Sequence, residues 1–452
     1  MRLRNKRKIK KNISSSDEEN SSSDEENNFN KYIEKKRKDS SDDEEEENKF
    51  CFTNKYNSEE LKYYKKLKKT EKKKIEDIEN SLTLSTNFNI NIPLRFKFLT
   101  MNTTNLNKNM IISKYEQLCS MNPFSSEYLK LYNWIMGVSK IPLGIYHNIS
   151  VNNNNKKSEI SDFLLNIKKE LDLSIYGHTD TKEQIIRILS QFISFPSARG
   201  YCIGIQGSMG VGKTKLVKNG ICNALKIPFS FISLGGISDS SYLKGHSFTY
   251  EGSKSGKIVE CLIKSKVMNP IFFFDELDKI SNTTLGEEIT NTLIHITDTT
   301  QNEKFNDRYY EEIDLDLSKS IMFFTYNDEN CINPILKDRM ITIKVKGYTI
   351  NDKIEIVKNY LLKEILDEYN IDIKDIILSD EIIKKIINLT DEEEGVRNLK
   401  RNINNIISYI NMYKYIKNDK IEINFPFTID EKICNLYCKK NKDNINNSLM
   451  YI

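Results

Sequence analysis

The sequence predicts an α/β core, a parallel sheet flanked by helices around a phosphate-binding loop. It also predicts a small helical domain after that core, a helical segment before it and a disordered N-terminal tail. Three observations lead there. From about residue 158, short apolar runs alternate with amphipathic stretches, as in a parallel sheet with helical crossovers. One junction reads Gly207-Ser208-Met209-Gly210-Val211-Gly212-Lys213-Thr214 and fits G-x-x-x-x-G-K-[ST], the P-loop pattern. A later run, Ile271-Phe272-Phe273-Phe274, ends on Asp275-Glu276, two acids where open α/β sheets place their ligands.

The 452 residues suffice for two or three domains. Basic residues number 68 and acidic residues 64, so the whole-chain charge of +4 selects no class of partner. No apolar run is long enough for a membrane helix, and the basic first residues lack the apolar stretch of a signal peptide. The expected compartment is therefore intracellular, cytoplasmic or nuclear, and not secreted. The eight cysteines are scattered, as reduced thiols in a reducing compartment would be.

Residues 1–57 read as a disordered charged tail. A basic block (Arg2 to Lys11) is followed by Ser14-Ser15-Ser16-Asp17-Glu18-Glu19-Asn20, repeated at residues 21–27, and by Lys35-Lys36-Arg37-Lys38. Such blocks bury too little apolar surface to offset chain entropy. They fit a nuclear-type address with acidic-directed kinase sites, or a solvated tail with no partner. Residues 58–150 form the helical segment. Within it 58–82 are an exposed Lys/Glu-rich helix, and 94–137 carry Tyr115, Leu118, Leu129, Tyr132 and Trp134 as core. The α/β domain spans 158–349, with a helix at 180–193 and strands at 201–206, 228–233, 270–275 and 319–325. Residues 350–418 show apolar positions at helical spacing and form the small domain; 419–452 are a short tail with a strand-like piece at 421–427.

The chemistry follows from the loop and the acids. Glycines let backbone N–H groups close around a triphosphate, and the helix behind adds its partial positive charge. Lys213 would reach the β- and γ-phosphates of ATP, and Thr214 would hold Mg2+. Asp275 would orient the same Mg2+, and Glu276 would polarise the attacking water. Asn327 ends the next strand and can hydrogen-bond that water or the γ-phosphate. Arg339, beyond the last predicted strand, either reaches a neighbouring subunit's γ-phosphate or forms a surface ion pair. Arg397 opens a helix of the small domain and could sense the phosphate from above.

Together and in this order, these pieces resemble the ATPase part of Lon, an AAA+ protease. The likeness runs from about Lys114 to about Phe427. It includes Met121-Asn122-Pro123, Tyr132-Asn133-Trp134, Ile141-Pro142-Leu143-Gly144, Ser233-Leu234-Gly235-Gly236, Gly245-His246 through Thr249-Tyr250, Asp275-Glu276-Leu277-Asp278-Lys279 and Gly347-Tyr348-Thr349. The resemblance implies an AAA+ core with a helical lid. Lys213 and Thr214 become the Walker A pair, Asp275 and Glu276 the Walker B pair, Asn327 sensor 1, Arg339 the arginine finger and Arg397 sensor 2. Tyr176-Gly177 becomes the adenine-contacting turn, and Tyr250 the pore residue that grips substrate. The resemblance also implies a homo-hexameric ring, polypeptide substrates and a mitochondrial compartment as a further possibility.

The chain departs from that pattern in places. Glu251 stands after Tyr250 where an aliphatic residue is usual, Lys254-Ser255 replaces Met-Pro, and Tyr326 replaces Ala before the sensor Asn. Lon's β-rich N-terminal domain has no counterpart, and the 34 residues after position 418 are too few for its Ser-Lys peptidase. The expected function is thus ATP-driven remodelling or unfolding of proteins without peptidase activity. The alternatives are a motor serving a separate peptidase subunit, and a nucleic-acid-associated scaffold suggested by the basic blocks.

Overall fold

A computed structural model of the chain describes residues 64–85, 92–195, 199–237, 239–416 and 426–438. The charged repeats and basic clusters of the N-terminal tail lie outside the described residues. The chain divides into two units at Ile92/Pro93. In the first, helix α1 (Lys69–Ser85) presents a mostly exposed Lys/Glu surface, and the Tyr64 hydroxyl donates to the Glu76 carboxylate. No helix among the described residues is long and apolar enough to cross a membrane.

The second unit opens with three helices, α2 (Leu94–Thr100), α3 (Asn105–Ser120) and α4 (Ser126–Val138). The expected continuous helical stretch breaks where Thr104 and Ser125 cap new helices, accepting from the backbone N–H of Asn107 and Tyr128. Leu118 and Trp134 are buried and Tyr115 packs against them, as expected. Leu129 and Tyr132 are not core: they are 60% and 39% exposed. The reason is periodicity. Helix α4 buries Leu131, Trp134, Ile135 and Val138, spaced at helical intervals, and that stripe turns Leu129 and Tyr132 outward.

Helices α5 (Lys157–Ser174) and α6 (Thr179–Ser194) lead into strand β1 (Cys202–Gln206). Helix α7 follows the P-loop in three pieces: Lys213–Lys215, a wider π-type turn Leu216–Ile221, and Cys222–Leu225. Strand β2 (Phe229–Ser233), short helix α8 (Ser241–Lys244), helix α9 (Lys257–Ser265), strand β3 (Ile271–Asp275), helix α10 (Thr284–Thr297) and strand β4 (Ile321–Tyr326) continue the alternation. Helix α11 (Pro334–Asp338) precedes a strand that the sequence pattern did not reveal, β5 (Ile341–Lys344). Arg339 therefore lies before the last strand, not beyond it.

All five strands pair in parallel in the order β2-β3-β4-β1-β5. The four apolar residues of β3 are buried because successive side chains face two different cores. Phe272 and Phe274 join Trp134, Ile289 and Phe324 on one face, where the Phe274 and Phe324 rings stack at 4.8 Å. Ile271 and Phe273 join Ile205, Leu216 and Phe323 on the other.

The small domain has its own core of Ile, Leu and Val. Helix α12 starts at Ile350 on a Thr349/Asp352 capping box and runs to Glu368 through a π-type segment. Helix α13 (Asp380–Leu389) and helix α14 (Arg397–Tyr415) complete the helices foreseen, and strand β6 (Ile376–Ile377), which helical spacing did not foresee, precedes them. Of the strand-like piece at 421–427, only its end is described: strand β7 (Phe427–Thr428), paired with β6. Helix α15 (Glu431–Tyr437) follows, and its Ile433 and Cys434 sit inside the small domain's core.

Candidate nucleotide site

The sheet order decides what meets what. β4 lies between β1 and β3, so its C-terminal end stands between the loop after β1 and the acids ending β3. Lys213 begins helix α7 and turns back over the loop. Its ammonium donates to the Gly207 carbonyl and, at 2.7 Å, to Asn327 Oδ1. Burial lowers the Lys213 pKa, and Asp275 and Asp278 act in the opposite sense. The Thr325 hydroxyl on β4 donates to Asp275 Oδ1, holding that carboxylate at the strand end. Glu276 has a left-handed backbone, φ 58°, which places its side chain against Gly235 at the end of the neighbouring β2.

The glycines of the loop have separate uses. Gly210 has φ 79°, and a Cβ there would come within 2.9 Å of the Arg397 nitrogen. Gly212 has φ 92° at the start of α7, where a side chain would strike Ile175. The loop thereby lies directly under the first turn of α14. The Val396 N–H donates to the Gly210 carbonyl at 3.2 Å, Ser208 donates to the Glu394 carboxylate, and the Tyr348 hydroxyl donates to the Val211 carbonyl at 3.1 Å. Glu393 caps α14, accepting from the N–H groups of Asn398 and Leu399.

Between loop and small domain lies a cleft of about 660 Å3, a size suited to a nucleotide. Of the residues expected to form the site, Tyr176, Met209, Gly210, Gly212, Lys213, Thr214, Asp275, Glu276, Asn327 and Arg397 line it. Gly207, Ser208 and Val211 shape the loop without lining the cleft, and Gly177 stands beside Tyr176 with φ 66°. Ile356, Tyr360 and Asn404 also line the cleft. The first two belong to the apolar positions at helical spacing in 350–418, and that spacing does not tell a core from a cleft. Asn404 Oδ1 is buried without a hydrogen-bond partner, an acceptor suited to a ligand N–H.

Two expected site residues stand elsewhere. Arg339 pairs with Asp298 at 3.0 Å and donates to the Ile294 carbonyl, on the α10 side of the sheet. Tyr250 is 69% exposed on the loop between α8 and α9, with exposed Glu251 beside it.

A five-stranded parallel sheet with a P-loop after β1, acids after β3, a polar residue after β4 and a helical lid defines an AAA ATPase domain. Residues 203–348 match the family model described as the ATPase family associated with various cellular activities. The chain is also similar to proteins named Lon protease. It is 38% identical over 332 residues to the Lon protease homolog of Acanthamoeba polyphaga mimivirus, covering 72% of this chain and 32% of that protein. It is 34% identical to the Lon protease of Cytophaga hutchinsonii, over 65% of this chain and 34% of the relative. To the mitochondrial Lon protease homolog 1 of Dictyostelium discoideum it is 33% identical, over 66% of this chain and 30% of the relative. The chain thus carries an AAA+ ATPase part of the Lon type, and spans about a third of the length of these curated relatives.

Proposed function

We propose that this chain hydrolyses ATP in a homo-hexameric ring and uses the energy to remodel or unfold polypeptides, and that its 452 residues do not themselves cut peptide bonds. One observation carries the hydrolytic part: Lys213, Asp275, Glu276 and Asn327, from three different strand ends, converge on one cleft. ATP places its phosphates in the 207–214 loop, where Lys213 exchanges its bond to the Gly207 carbonyl for phosphate oxygens. The base and ribose lie toward Tyr176, Ile356, Tyr360 and Asn404. Thr214 and Asp275 are the residues that would hold Mg2+, which supplies neutralisation of the phosphate charge. Glu276 accepts the proton of the attacking water, Asn327 fixes that water or the γ-phosphate, and Arg397 follows the phosphate from the lid. Arg339 serves the cleft of a neighbouring subunit, and Tyr250 contacts the polypeptide.

A motor acting with a separate peptidase is the second reading, favoured by the similarity to proteins named Lon protease. Co-purification from native material decides between the two. The hydrolytic reading is tested with Glu276→Gln. Turnover should fall about 10²- to 10⁴-fold, the range for loss of a general base, with ATP binding retained by calorimetry. Unchanged turnover would overturn it.

A further inference from the structure

The loop carrying Tyr250 leaves the body at Gly245 and returns at Gly256. These two positions touch: a Cβ on Gly245 would lie 2.7 Å from the Gly256 nitrogen and 3.0 Å from Asp307 Oδ1. Asp307 is fully buried between them and the segment before β4. Its Oδ2 accepts the Gly256 N–H at 2.7 Å and its Oδ1 accepts the Tyr309 N–H at 2.8 Å. The neck of the loop is thus closed by this carboxylate together with a backbone bond just inside it, where the His246 N–H donates to the Lys254 carbonyl at 3.1 Å.

The shoulder of the loop is held from another direction. Phe248 is half-buried and meets the Tyr309 ring edge-on, with centroids 5.6 Å apart. Two ammonium groups lie near the Phe248 ring, Lys130 at 4.9 Å and Lys114 at 5.1 Å. The Lys130 ammonium also donates to the Thr249 carbonyl at 2.7 Å. Lys114 continues over Trp134 at 4.5 Å and pairs with Glu312 at 3.1 Å, while the Trp134 indole N–H donates to the Tyr309 carbonyl at 2.9 Å. Lys114 lies on α3, and Lys130 and Trp134 on α4, all outside the α/β domain.

Each of these contacts reaches the loop through its backbone or through Phe248, and Tyr250 still projects into solvent. We propose that Lys130 and Phe248 are positioning residues that fasten the Tyr250 loop to the α3–α4 pair, so that the helical segment ahead of the ATPase core sets where the loop meets polypeptide. This rests on the reading that Tyr250 contacts substrate. The ammonium over the ring and its bond to the Thr249 carbonyl act at adjacent residues, so one side chain restrains both φ/ψ and ring position just before Tyr250.

The test uses the full chain and Lys130→Met, which keeps the aliphatic stem and removes the charge. ATP turnover is measured against increasing reduced, carboxymethylated lactalbumin, a permanently unfolded polypeptide. Amide exchange is followed at residues 247–253. The half-saturating polypeptide concentration should rise about 3- to 10-fold, as loss of one charge-assisted bond and one cation–π contact predicts. Exchange of the loop should quicken, turnover without polypeptide should be unchanged, and Lys130→Arg should restore both. Phe248→Leu should behave like Lys130→Met. Unchanged loop exchange in Lys130→Met overturns the proposal, and so does an equal loss of basal and stimulated turnover. If turnover of the parent chain ignores the polypeptide, the remodelling reading fails instead, and the exchange comparison alone decides whether Lys130 fastens the loop.

Discussion

Glu276 spends backbone strain to sit where it does. A non-glycine residue at φ 58° is uncommon, and such residues gather at functional sites. The strain turns its carboxylate onto Gly235 of the adjacent strand end, where only a residue without a Cβ leaves room. Gly235→Ala should therefore move the carboxylate and leave the fold alone, since the atom it strikes is the end of a flexible side chain. ATP turnover is expected to drop about tenfold or more, because small misplacements of a catalytic group are costly. Nucleotide affinity and melting temperature should stay near those of the parent. A variant with full turnover would show that Glu276 does not work from this position. The residues of the loop and the strand-end acids that line the candidate cleft were legible in the sequence because a phosphate site would demand such types at fixed spacing. Their partners were not. Thr325 beneath Asp275, Glu394 beneath Ser208 and the open acceptor of Asn404 depend on which strand ends and helix starts the fold brings together.

At the scale of elements, the buried strands were readable because a run such as Ile271–Phe274 must face two cores at once. Strand β5 was not readable. It is four residues long, at the sheet edge, and only Ile343 of its residues is fully buried, so no apolar run announces it. Helix α4 was readable as a helix but its phase was not, since Leu129 and Tyr132 are as apolar as the residues it buries. The Tyr250 loop shows a further kind of hidden order. Its neck depends on Asp307, an acid 51 residues away in sequence from Gly256. Burial raises the Asp307 pKa to about 6, and the backbone N–H groups of Gly256, Tyr309 and Tyr310 pull the other way without cancelling that. A carboxyl with a raised folded pKa favours folding most below its unfolded value, and that contribution fades as pH rises through about 6. Asp307→Asn removes the titration. From pH 7.5 to pH 4.5, which is still above the unfolded carboxyl value, the stability of the parent relative to Asp307→Asn should shift in the parent's favour by about 2 kcal/mol, part of the about 3 kcal/mol that a shift of about two units carries in full. Urea midpoints at the two pH values measure it, and a constant difference would refute the assignment.

At the scale of the whole second unit, the lid and the core share the phosphate loop. Val396 holds the Gly210 carbonyl, Tyr348 bridges the Val211 carbonyl and the Glu394 backbone, and Lys215 pairs with Glu364 on α12 at 2.7 Å. These contacts tie the loop to the first turn of α14, where Arg397 stands. Arg339 has no such link. Within its own chain it is held by Asp298 and the Ile294 carbonyl, and it does not line the cleft. If it acts in hydrolysis, it must act on another copy. Arg339→Ala should then keep its nucleotide affinity and lose turnover by about 10³-fold, the scale of a missing arginine finger. Mixing gives the decisive comparison. Glu276→Gln chains have a defective cleft and an intact Arg339; Arg339→Ala chains have the reverse. In a mixed ring, an Arg339→Ala cleft next to a Glu276→Gln subunit contains every group the reaction needs. Turnover should therefore reappear when the two inactive chains are combined, and it should rise with total chain concentration as rings form. If Arg339 served only its own ion pair with Asp298, Arg339→Ala alone would turn over ATP normally. If it served its own chain's cleft, the mixture would stay as inactive as its parts.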